Sequence, residues 1–479
     1  MAGTAKVTAV VLAAGQGKRL RSELPKVLHR AAGRPLVVHV LSAIAPLEPV
    51  RTVVVTSIRR DEIAAAAGEA GSEADFVIQD PPAGTADAVR VALEHLGPVE
   101  GIVLVVAGDT PLVTTETLAL LLETHVAARA GATVLTARVT DPRGLGRIVR
   151  ADDGGIAAIV EEADATEEQL TINEINSATY AFDAARLNDL IAKVDRENAQ
   201  GEYYLTDVIG LLVARGERVL ALVADEIEGQ GVNDRAQLAR ASALLRARVA
   251  ERWMAAGVTI VDPSTTYIDA TVEIERDATI MPFTFLEGST RVAAGAEVGP
   301  QARVVDSEIG PGAVVSYAVV RESIVGPEAS VGPFASLRPG TKLGRGARLG
   351  TFVESKNTEV GDESKANHLA YLGDAEIARG VNVGAGTITT NWDGQHKHKT
   401  VIDDDAYIGS DTMLVAPVRV GKRAATGAGA VVRDDVPDDA LAVGVPARII
   451  EGKGNKMGRV GRAAGGSEEA GEEDAAPDT

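Results

Sequence analysis

The chain has 479 residues, a formal net charge of −20, 45% hydrophobic residues and no cysteine. This length exceeds what one hydrophobic core usually organises, so two or more domains are expected. The negative charge disfavours a nucleic-acid or anionic-membrane surface, because both partners attract clustered Lys and Arg. The absence of cysteine excludes disulfides, thiolate metal sites and cysteine nucleophiles, and it fits a cytoplasmic protein.

Short Val-rich segments alternate with Ala/Leu-rich segments from residue 6 to about residue 230. The apolar run 7–14 continues into a glycine-rich segment without an A-x-A-like cleavage pattern, so a strand is predicted rather than a signal peptide. Strands are predicted at 7–12, 52–56, 102–106 and 133–137, and helices at 36–44, 86–96 and 115–128. The alternation predicts a mainly parallel, Rossmann-like α/β sheet with ligands beyond the carboxyl ends of its strands.

The second half of the chain has a different periodicity. Residues 235–256 contain no Gly or Pro and follow Asp234, a suitable N-cap, so a long linking helix is predicted. Beyond residue 263, aliphatic residues recur every six positions, at Val325, Val331, Leu337, Leu343 and Leu349. Four positions after each stands Ala329, Ala335, Thr341, Ala347 or Val353. This hexapeptide repeat predicts a triangular prism of parallel strands, a parallel β-helix.

These patterns predict an order of domains. The α/β domain is expected at 1–232, the linking helix at 233–257, the β-helix at 258–451 and a disordered tail at 452–479. No uncharged apolar stretch approaches the roughly twenty residues of a membrane-spanning helix, so a soluble protein is expected.

Two motifs near the start of the chain indicate phosphate chemistry. The segment L-A-A-G-Q-G-K-R-L (12–20) follows the first predicted strand, and its glycines allow backbone N–H groups to approach phosphates. A tight strand-to-helix turn would have the same glycines, so this loop alone is weak evidence. The segment L-P-K-V-L (24–28) then adds Lys26 directly after a proline.

Together these motifs resemble the sugar-1-phosphate nucleotidyltransferase family. From residue 6 to about 450 the chain is similar to bifunctional N-acetylglucosamine-1-phosphate uridyltransferase/glucosamine-1-phosphate N-acetyltransferases. The resemblance implies a left-handed β-helix, a homotrimer, Mg²⁺ and a cytoplasmic role in peptidoglycan synthesis. It also implies four small-molecule substrates: UTP, acetyl-CoA, glucosamine-1-phosphate and N-acetylglucosamine-1-phosphate.

The resemblance assigns residues to the nucleotidyl site. The nucleotide-binding set is Leu12, Ala13, Ala14, Gly15, Lys26, Gln79, Gly84 and Thr85, and Lys26 is also the catalytic residue that neutralises phosphate charge. The metal set is Asp109 and Asn233, and the sugar-binding set is Gly146, Glu161, Asn176 and Asn233. The amide of Gln79 can both donate to and accept from the edge of uracil. No general base is needed, because the sugar phosphate is already an anionic nucleophile.

The resemblance assigns a second set to the acetyl-transfer site, where His368 is the general base that takes the proton of the attacking amine. The acceptor-binding set is Arg338, Lys356, Tyr371 and Asn382. The acetyl-CoA set is Ala385, Asn391, Trp392, Ser410, Ala428 and Arg448. Arg448 is included as a substitute for a basic residue of the family that A-V-G-V-P-A-R replaces.

The chain departs from the family pattern near the nucleotidyl site. Ala86-Asp87 replaces Gly-His, which is expected to add negative charge close to the phosphates, and Ala178 replaces a glycine near the sugar. Three alternatives stay open. They are a nucleotidyltransferase whose β-helix only builds a trimer, a regulatory homologue without catalysis, and an enzyme for dTTP or another sugar, since thymine presents the same imide edge as uracil.

Overall fold

The computed structural model describes residues 6–15, 17–57 and 59–454. The chain divides into two compact units, Met1–Arg248 and Val249–Thr479. The predicted tail from residue 455 onward lies outside the described residues. In the part of the chain that the structure describes, no helix is long and apolar enough to cross a membrane.

The first unit is built on one main sheet. The strands of this unit are β1 (Val7–Ala13), β2 (Arg30–Ala31), β3 (Arg34–Pro35), β4 (Arg51–Thr56), β5 (Asp75–Ile78), β6 (Ile102–Ala107), β7 (Ala132–Arg138), β8 (Arg147–Arg150), β9 (Ile156–Val160), β10 (Glu174–Asp183) and β11 (Val219–Ala224). Strands β2 and β3 pair only with each other, as a separate antiparallel hairpin. The main sheet has the order β11-β7-β10-β6-β1-β4-β5, and β8 joins β10 to β9. Among the described strands in this order, only β10 runs antiparallel to its neighbours. The predicted mainly parallel sheet is confirmed.

Helices cover both faces of this sheet. One face carries α1 (Leu36–Ile44), α2 (Arg60–Glu69) and α4 (Thr115–Ala128), and the other carries α3 (Thr85–Leu96), α6 (Ala184–Ile191) and α7 (Thr206–Ala214). Two further helices are α5 (Glu167–Leu170) and α8 (Arg235–Ala255). Side chains of a strand alternate between faces, so Val10 is buried in one apolar cluster and Val11 in the other. The predicted N-cap of α8 is present, because Asp234 Oδ1 accepts the Gln237 N–H at 2.8 Å. The division between the two units falls inside α8.

The second unit consists mainly of three parallel sheets that the chain visits in turn. Sheet 1 contains Thr259–Ile260, Thr279–Ile280, Glu297–Val298, Val314–Val315, Ser330–Val331, Arg348–Thr351, Lys365–His368, Asn382–Val383, Tyr407–Ile408, Ala425–Thr426, Leu441–Val443 and Arg448–Ile450. Sheet 2 contains Tyr267–Ile268, Phe285–Glu287, Arg303–Val305, Val319–Arg321, Ser336–Leu337, Glu354–Lys356, Tyr371–Gly373, Ile388–Thr390, Met413–Val415 and Val431–Val432. Sheet 3 contains Glu273–Ile274, Arg291–Val292, Glu308–Ile309, Ile324–Val325, Lys342–Leu343, Glu359–Val360, Ala375–Ile377, Thr400–Ile402 and Val418–Val420.

The six-residue repeat explains this left-handed β-helix. Val325, Val331 and Leu337 lie on successive strands of sheets 3, 1 and 2, and each is buried. One coil later the chain returns to the same sheet, so Val331 pairs with Leu349. The large aliphatic side chains therefore stack in the interior, while small buried residues such as Ala329 fit near the corners. The predicted hexapeptide architecture is confirmed.

Candidate active sites in the two units

Loops at one edge of the first unit's sheet enclose a cavity of about 640 Å³. Because β1, β4, β5 and β6 are parallel, their carboxyl ends meet at this edge. The cavity is lined by Leu12, Ala13, Ala14, Gly15, Gly17, Arg19, Lys26, Val27, Gln79, Pro82, Gly84, Thr85, Ala88, Ala107, Asp109, Ala178, Glu202 and Asn233. It thus brings together every residue of the predicted nucleotide-binding and metal sets.

Lys26 is the contact between the two predicted metal-binding residues. Its ammonium forms an ion pair with Asp109 and donates a hydrogen bond to Asn233 Oδ1 at 2.7 Å. Gly17 makes this placement possible, because its φ of +59° suits glycine and a Cβ there would lie 2.6 Å from the Lys26 Cβ. The side chains of Lys26 and Asp109 are only 13% and 19% exposed. A carboxylate, an amide oxygen and an ammonium therefore converge at the sheet edge.

Gly84 and Thr85 stand at the start of α3, where residues 203–205 pass close to the backbone. Gly84 has φ +118°, and a Cβ at this position would lie 2.4 Å from the carbonyl oxygen of Tyr203. The hydroxyl oxygen of Thr85 accepts the Leu205 N–H at 2.9 Å. These contacts hold the loop before α3 against residues 203–205, and they explain why glycine is required at position 84.

Gln79 and Asp87 contact each other directly. Gln79 Nε2 donates to the Gly84 carbonyl at 3.0 Å and to Asp87 Oδ2 at 2.7 Å, so both of its N–H groups are engaged within the protein. Arg90 forms an ion pair with Asp87. Asp87 is buried, and the negative charge that was expected to act near the phosphates is compensated within the protein by Arg90. The structure also differs from the expectation that Gln79 donates to a base, because both of its N–H groups are engaged within the protein.

Three of the predicted sugar-binding residues, Gly146, Glu161 and Asn176, form a neighbouring cluster that does not line the described cavity, whereas Asn233 lines it. The Asn176 N–H donates to the Gly146 carbonyl at 2.9 Å, and Asn176 Nδ2 donates to the Tyr180 hydroxyl at 2.7 Å. Both oxygens of the Glu161 carboxylate lie 3.4 Å from where a Cβ at Gly146 would stand. Burial raises the pKa of Glu161, and the nearby carboxylates of Asp164 and Asp207 raise it further.

Ala178 connects this cluster to the cavity. It lies at an irregularity of β10, between Asn176 and Thr179, where the register with β7 shifts. Its φ is +56°, a left-handed conformation that favours glycine. The Ala178 N–H donates to Asn176 Oδ1 at 3.1 Å, and the residue lines the cavity. The chain therefore keeps a backbone geometry suited to glycine while carrying a methyl group.

In the second unit, His368 ends a strand of sheet 1 and is exposed. Hydrogen bonds between successive coils continue beyond it at the same corner, from Gly386 N–H to the Leu369 carbonyl at 3.0 Å, from Asp411 N–H to the Ala385 carbonyl and from Gly429 N–H to the Ser410 carbonyl. Corresponding positions of four coils are therefore occupied by His368, Ala385, Ser410 and Ala428. The predicted general base and three residues of the predicted acetyl-CoA set form one column.

Three cationic side chains cluster near sheet 2. Arg338 pairs with Glu354 at 2.8 Å, and Tyr371 lies beside Glu354 in the sheet register. The close approach of the Lys397 ammonium lowers the pKa of Lys356, and the charge of Arg338 adds to the effect. Lys397 was missed in the sequence reasoning. It is more than forty residues from Lys356 along the chain, and its only signal was a basic residue after N-W-D-G.

The remaining predicted acetyl-transfer residues occupy three separate places, because Asn391 and Trp392 are neighbours and Asn382 and Arg448 lie elsewhere. Asn391 is buried and its amide donates to Asp374, whereas Trp392 is 57% exposed. Asn382 lies in a sheet 1 strand, paired with Lys365. Arg448 is exposed in the last described strand of sheet 1. Trp392 forms an antiparallel β-bridge with Lys397 of the cation cluster, whereas no hydrogen bond or ion pair between described residues joins Asn382 or Arg448 to that cluster or to the His368 column.

Comparisons with known proteins agree with this architecture. The family model for nucleotidyl transferase matches residues 8–254. The chain is 51% identical to the bifunctional protein GlmU of Thermobifida fusca (strain YX), over 94% of this chain and 95% of that protein. It is 47% identical to the same-named protein of Streptomyces coelicolor over 91% of each, and 45% identical to that of Brevibacillus brevis over 95% and 99%. The chain belongs to the nucleotidyl transferase family and, along both of its units, to the family of bifunctional GlmU proteins.

Proposed function

We propose that this enzyme makes UDP-N-acetylglucosamine in two steps. The β-helix transfers an acetyl group from acetyl-CoA to glucosamine-1-phosphate, and the α/β unit then joins the product to UTP with release of pyrophosphate. The domains are proposed at 1–232 and 258–451, joined by 233–257. The observation that carries the first half of the proposal is the convergence of Lys26, Asp109 and Asn233 in the cavity that also holds the nucleotide-binding set.

In the nucleotidyl step the phosphate of the sugar attacks the α-phosphorus of UTP. Lys26 stabilises the negative charge that spreads over the phosphoryl oxygens, and the cavity orients the two anions. Gly146, Glu161, Asn176 and Asn233 are proposed to bind the sugar. The buried cluster of Asn176 and Tyr180 supports this, since it holds the Asn176 side chain in one orientation.

The residues of this site fit Mg²⁺ held jointly with the substrate. Among residues 6–15, 17–57 and 59–454, no three His, Cys, Asp or Glu side chains are arranged as a complete metal site. Mg²⁺ is usually bound by one or two carboxylates together with substrate phosphates and water, and Asp109 with Asn233 supplies that donor set. When bound, the ion would polarise phosphate oxygens. The Lys26 ammonium contacts both donors, and this contact with a positive group supports the proposal that a cation binds between them.

In the acetyl step the amine of glucosamine-1-phosphate attacks the thioester carbonyl of acetyl-CoA. His368 is proposed to take the amine proton, and the thiolate of coenzyme A leaves. Arg338, Lys356 and Lys397 are proposed to bind the sugar phosphate, with Tyr371 beside them. The mutual repulsion that lowers the pKa of Lys356 supports this role, because a bound phosphate would relieve it.

Acetyl-CoA is proposed to lie along the column that begins at His368. Before His368 the same corner carries Phe334 and Phe352, whereas after it the corner carries Gly386, Asp411 and Gly429. The small and polar side chains leave the column open where the coenzyme would lie. Asn382 is proposed to contact the acceptor, and Asn391, Trp392 and Arg448 the coenzyme.

A homotrimer is proposed because one corner of the β-helix exposes stacked apolar side chains. Tyr317, Phe334 and Phe352 have ring centroids 5.8 and 5.5 Å apart, and Leu369 continues the row beside His368. Phe334, Phe352 and Leu369 are each more than half exposed, which is unusual for large apolar side chains and suits contact with other subunits. Light scattering is expected to give a trimer, and Phe334→Glu with Phe352→Glu a smaller species. A monomeric parent protein would contradict the proposal.

A paired assay on one preparation tests the two activities. Pyrophosphate release from UTP with N-acetylglucosamine-1-phosphate and thiol release from acetyl-CoA with glucosamine-1-phosphate are both expected. Pyrophosphate without thiol would favour a nucleotidyltransferase with a structural β-helix, and neither product would favour a regulatory homologue. Assays with dTTP and other sugar phosphates test the third alternative. The substrates UTP and acetyl-CoA are cytoplasmic, so the cytoplasm is the proposed location.

A further inference from the structure

Gln79 of the nucleotide-binding set is joined by a chain of contacts to Asp87 and Arg90, two residues that the proposed reactions leave without a role. One N–H of Gln79 Nε2 donates to the Gly84 carbonyl and the other to Asp87 Oδ2. The guanidinium of Arg90 pairs with Asp87 Oδ1 and stands 5.4 Å above the ring of Tyr203. Gln79 is 3% exposed and Asp87 8% exposed, so water does not compete effectively for these hydrogen bonds.

This chain determines which end of the Gln79 amide a ligand can contact. An amide has two donors on nitrogen and acceptor capacity on oxygen, and here both donors are engaged. The oxygen accepts no hydrogen bond from the described residues, and Gln79 lines the cavity. A half-turn of the amide would bring its oxygen against the Asp87 carboxylate and the Gly84 carbonyl. Acceptor would then face acceptor, so the electrostatics oppose that orientation.

We propose that Asp87 is a positioning residue that sets the choice of nucleobase. By holding the Gln79 oxygen as the group available to the ligand, Asp87 selects bases that present an N–H donor, such as N3–H of uracil. Cytosine presents an unprotonated N3, an acceptor, at the equivalent position and is rejected. Arg90 compensates the charge of the buried Asp87 carboxylate, which therefore remains a pure acceptor. This inference rests on the proposed nucleotidyl transfer.

The test compares kcat/KM for pyrophosphate release with UTP and with CTP in Asp87→Asn. An asparagine presents either its oxygen or its NH₂ group to Gln79, so only the Gly84 carbonyl still opposes the turned orientation of the Gln79 amide. The UTP-to-CTP ratio is expected to fall at least about tenfold, the effect of one hydrogen bond, mainly through KM. The matched control is Asp61→Asn, which removes a carboxylate from the first turn of α2 and is expected to leave the ratio unchanged.

A rescue variant separates this role from a general effect on folding. In Gln79→Glu with Asp87→Asn, the new carboxylate presents only acceptors and the asparagine amide can donate to it. The preference for UTP is expected to return, whereas Gln79→Glu alone places two carboxylates together and weakens nucleotide binding. If Asp87→Asn does not fold, the double variant decides, and equal use of UTP and CTP by it would overturn the inference.

Different results would refute the role of Asp87 and the proposed nucleotidyl transfer. An unchanged UTP-to-CTP ratio in active Asp87→Asn overturns the role of Asp87 and leaves nucleotidyl transfer intact. A parent protein that releases no pyrophosphate from UTP overturns the proposed function itself. Thiol release on each preparation shows whether the rest of the chain is folded.

Discussion

Replacing Asp109 with Asn tests the nucleotidyl site most directly, because it removes a charge and keeps the shape of the side chain. Lys26 then loses its ion pair, and the proposed Mg²⁺ site loses its carboxylate. Removing one preorganised electrostatic group from an active site typically costs 10²–10³-fold in rate, about 2.7–4 kcal/mol. We expect kcat for pyrophosphate release to fall by about this factor.

The cost to folding is smaller and can be bounded from the exposure of the pair. The Lys26 and Asp109 side chains are 13% and 19% exposed, so the pair lies between a surface ion pair worth about 0–1 kcal/mol and a buried one whose loss costs about 3–5 kcal/mol. We expect a loss of about 1–3 kcal/mol. A typical domain is stable by about 5–15 kcal/mol, so the variant stays folded.

The assay measures pyrophosphate and free thiol on the same preparation. Asp109 and His368 belong to different compact units, so thiol release is expected to stay within about twofold of the parent. Asp141→Asn is the control, since Asp141 pairs with Arg143 at the surface of the same unit. Less than tenfold loss of pyrophosphate release in Asp109→Asn would refute the role of this carboxylate, and equal loss of both products would indicate misfolding.

Three further predictions concern other parts of the molecule. His368→Ala is expected to lower thiol release by about 10²–10⁴-fold and to leave pyrophosphate release unchanged in the same paired assay. Because the pKa of Glu161 is raised on folding, its contribution to stability is present below the ordinary Glu pKa and lost as pH rises through the folded pKa. Glu161→Gln is therefore expected to gain in free energy of unfolding relative to the parent between pH 5 and pH 8, while KM for the sugar phosphate rises about tenfold; no gain by urea unfolding would contradict this. Ala178→Gly relieves about 1–2 kcal/mol of left-handed backbone strain and adds about 0.5–1 kcal/mol of chain entropy to the unfolded state, so the free energy of unfolding is expected to rise. Ala181→Gly in the same strand has no such strain to relieve, and its free energy of unfolding is expected to fall by about 1.5 kcal/mol. Urea unfolding measures both changes.

Local sequence patterns were sufficient to predict the fold class of each unit. The periods of strand, helix and hexapeptide are properties of neighbouring residues, so the first strand, α1 and the coils around Val331 could be predicted from the sequence. Lys26 could be assigned because it lies in a short motif after the glycine-rich segment, and the two motifs together resemble the family pattern. The antiparallel insertion of β10 between β6 and β7 could not be predicted, because strand order depends on contacts between distant segments.

The site residues differ in the same way, because some properties of a site are local and others depend on distant contacts. The amino-acid sequence by itself determined which residue types were available at the sheet edge and at the corner of the prism. Only the tertiary structure decided that Arg90 compensates Asp87 and that Gln79 retains a single free acceptor, since both depend on which side chains meet in the buried space before α3. The approach of Lys397 to Lys356 likewise depends on the loop after Thr390, whose length interrupts the hexapeptide period and hides the register from the sequence.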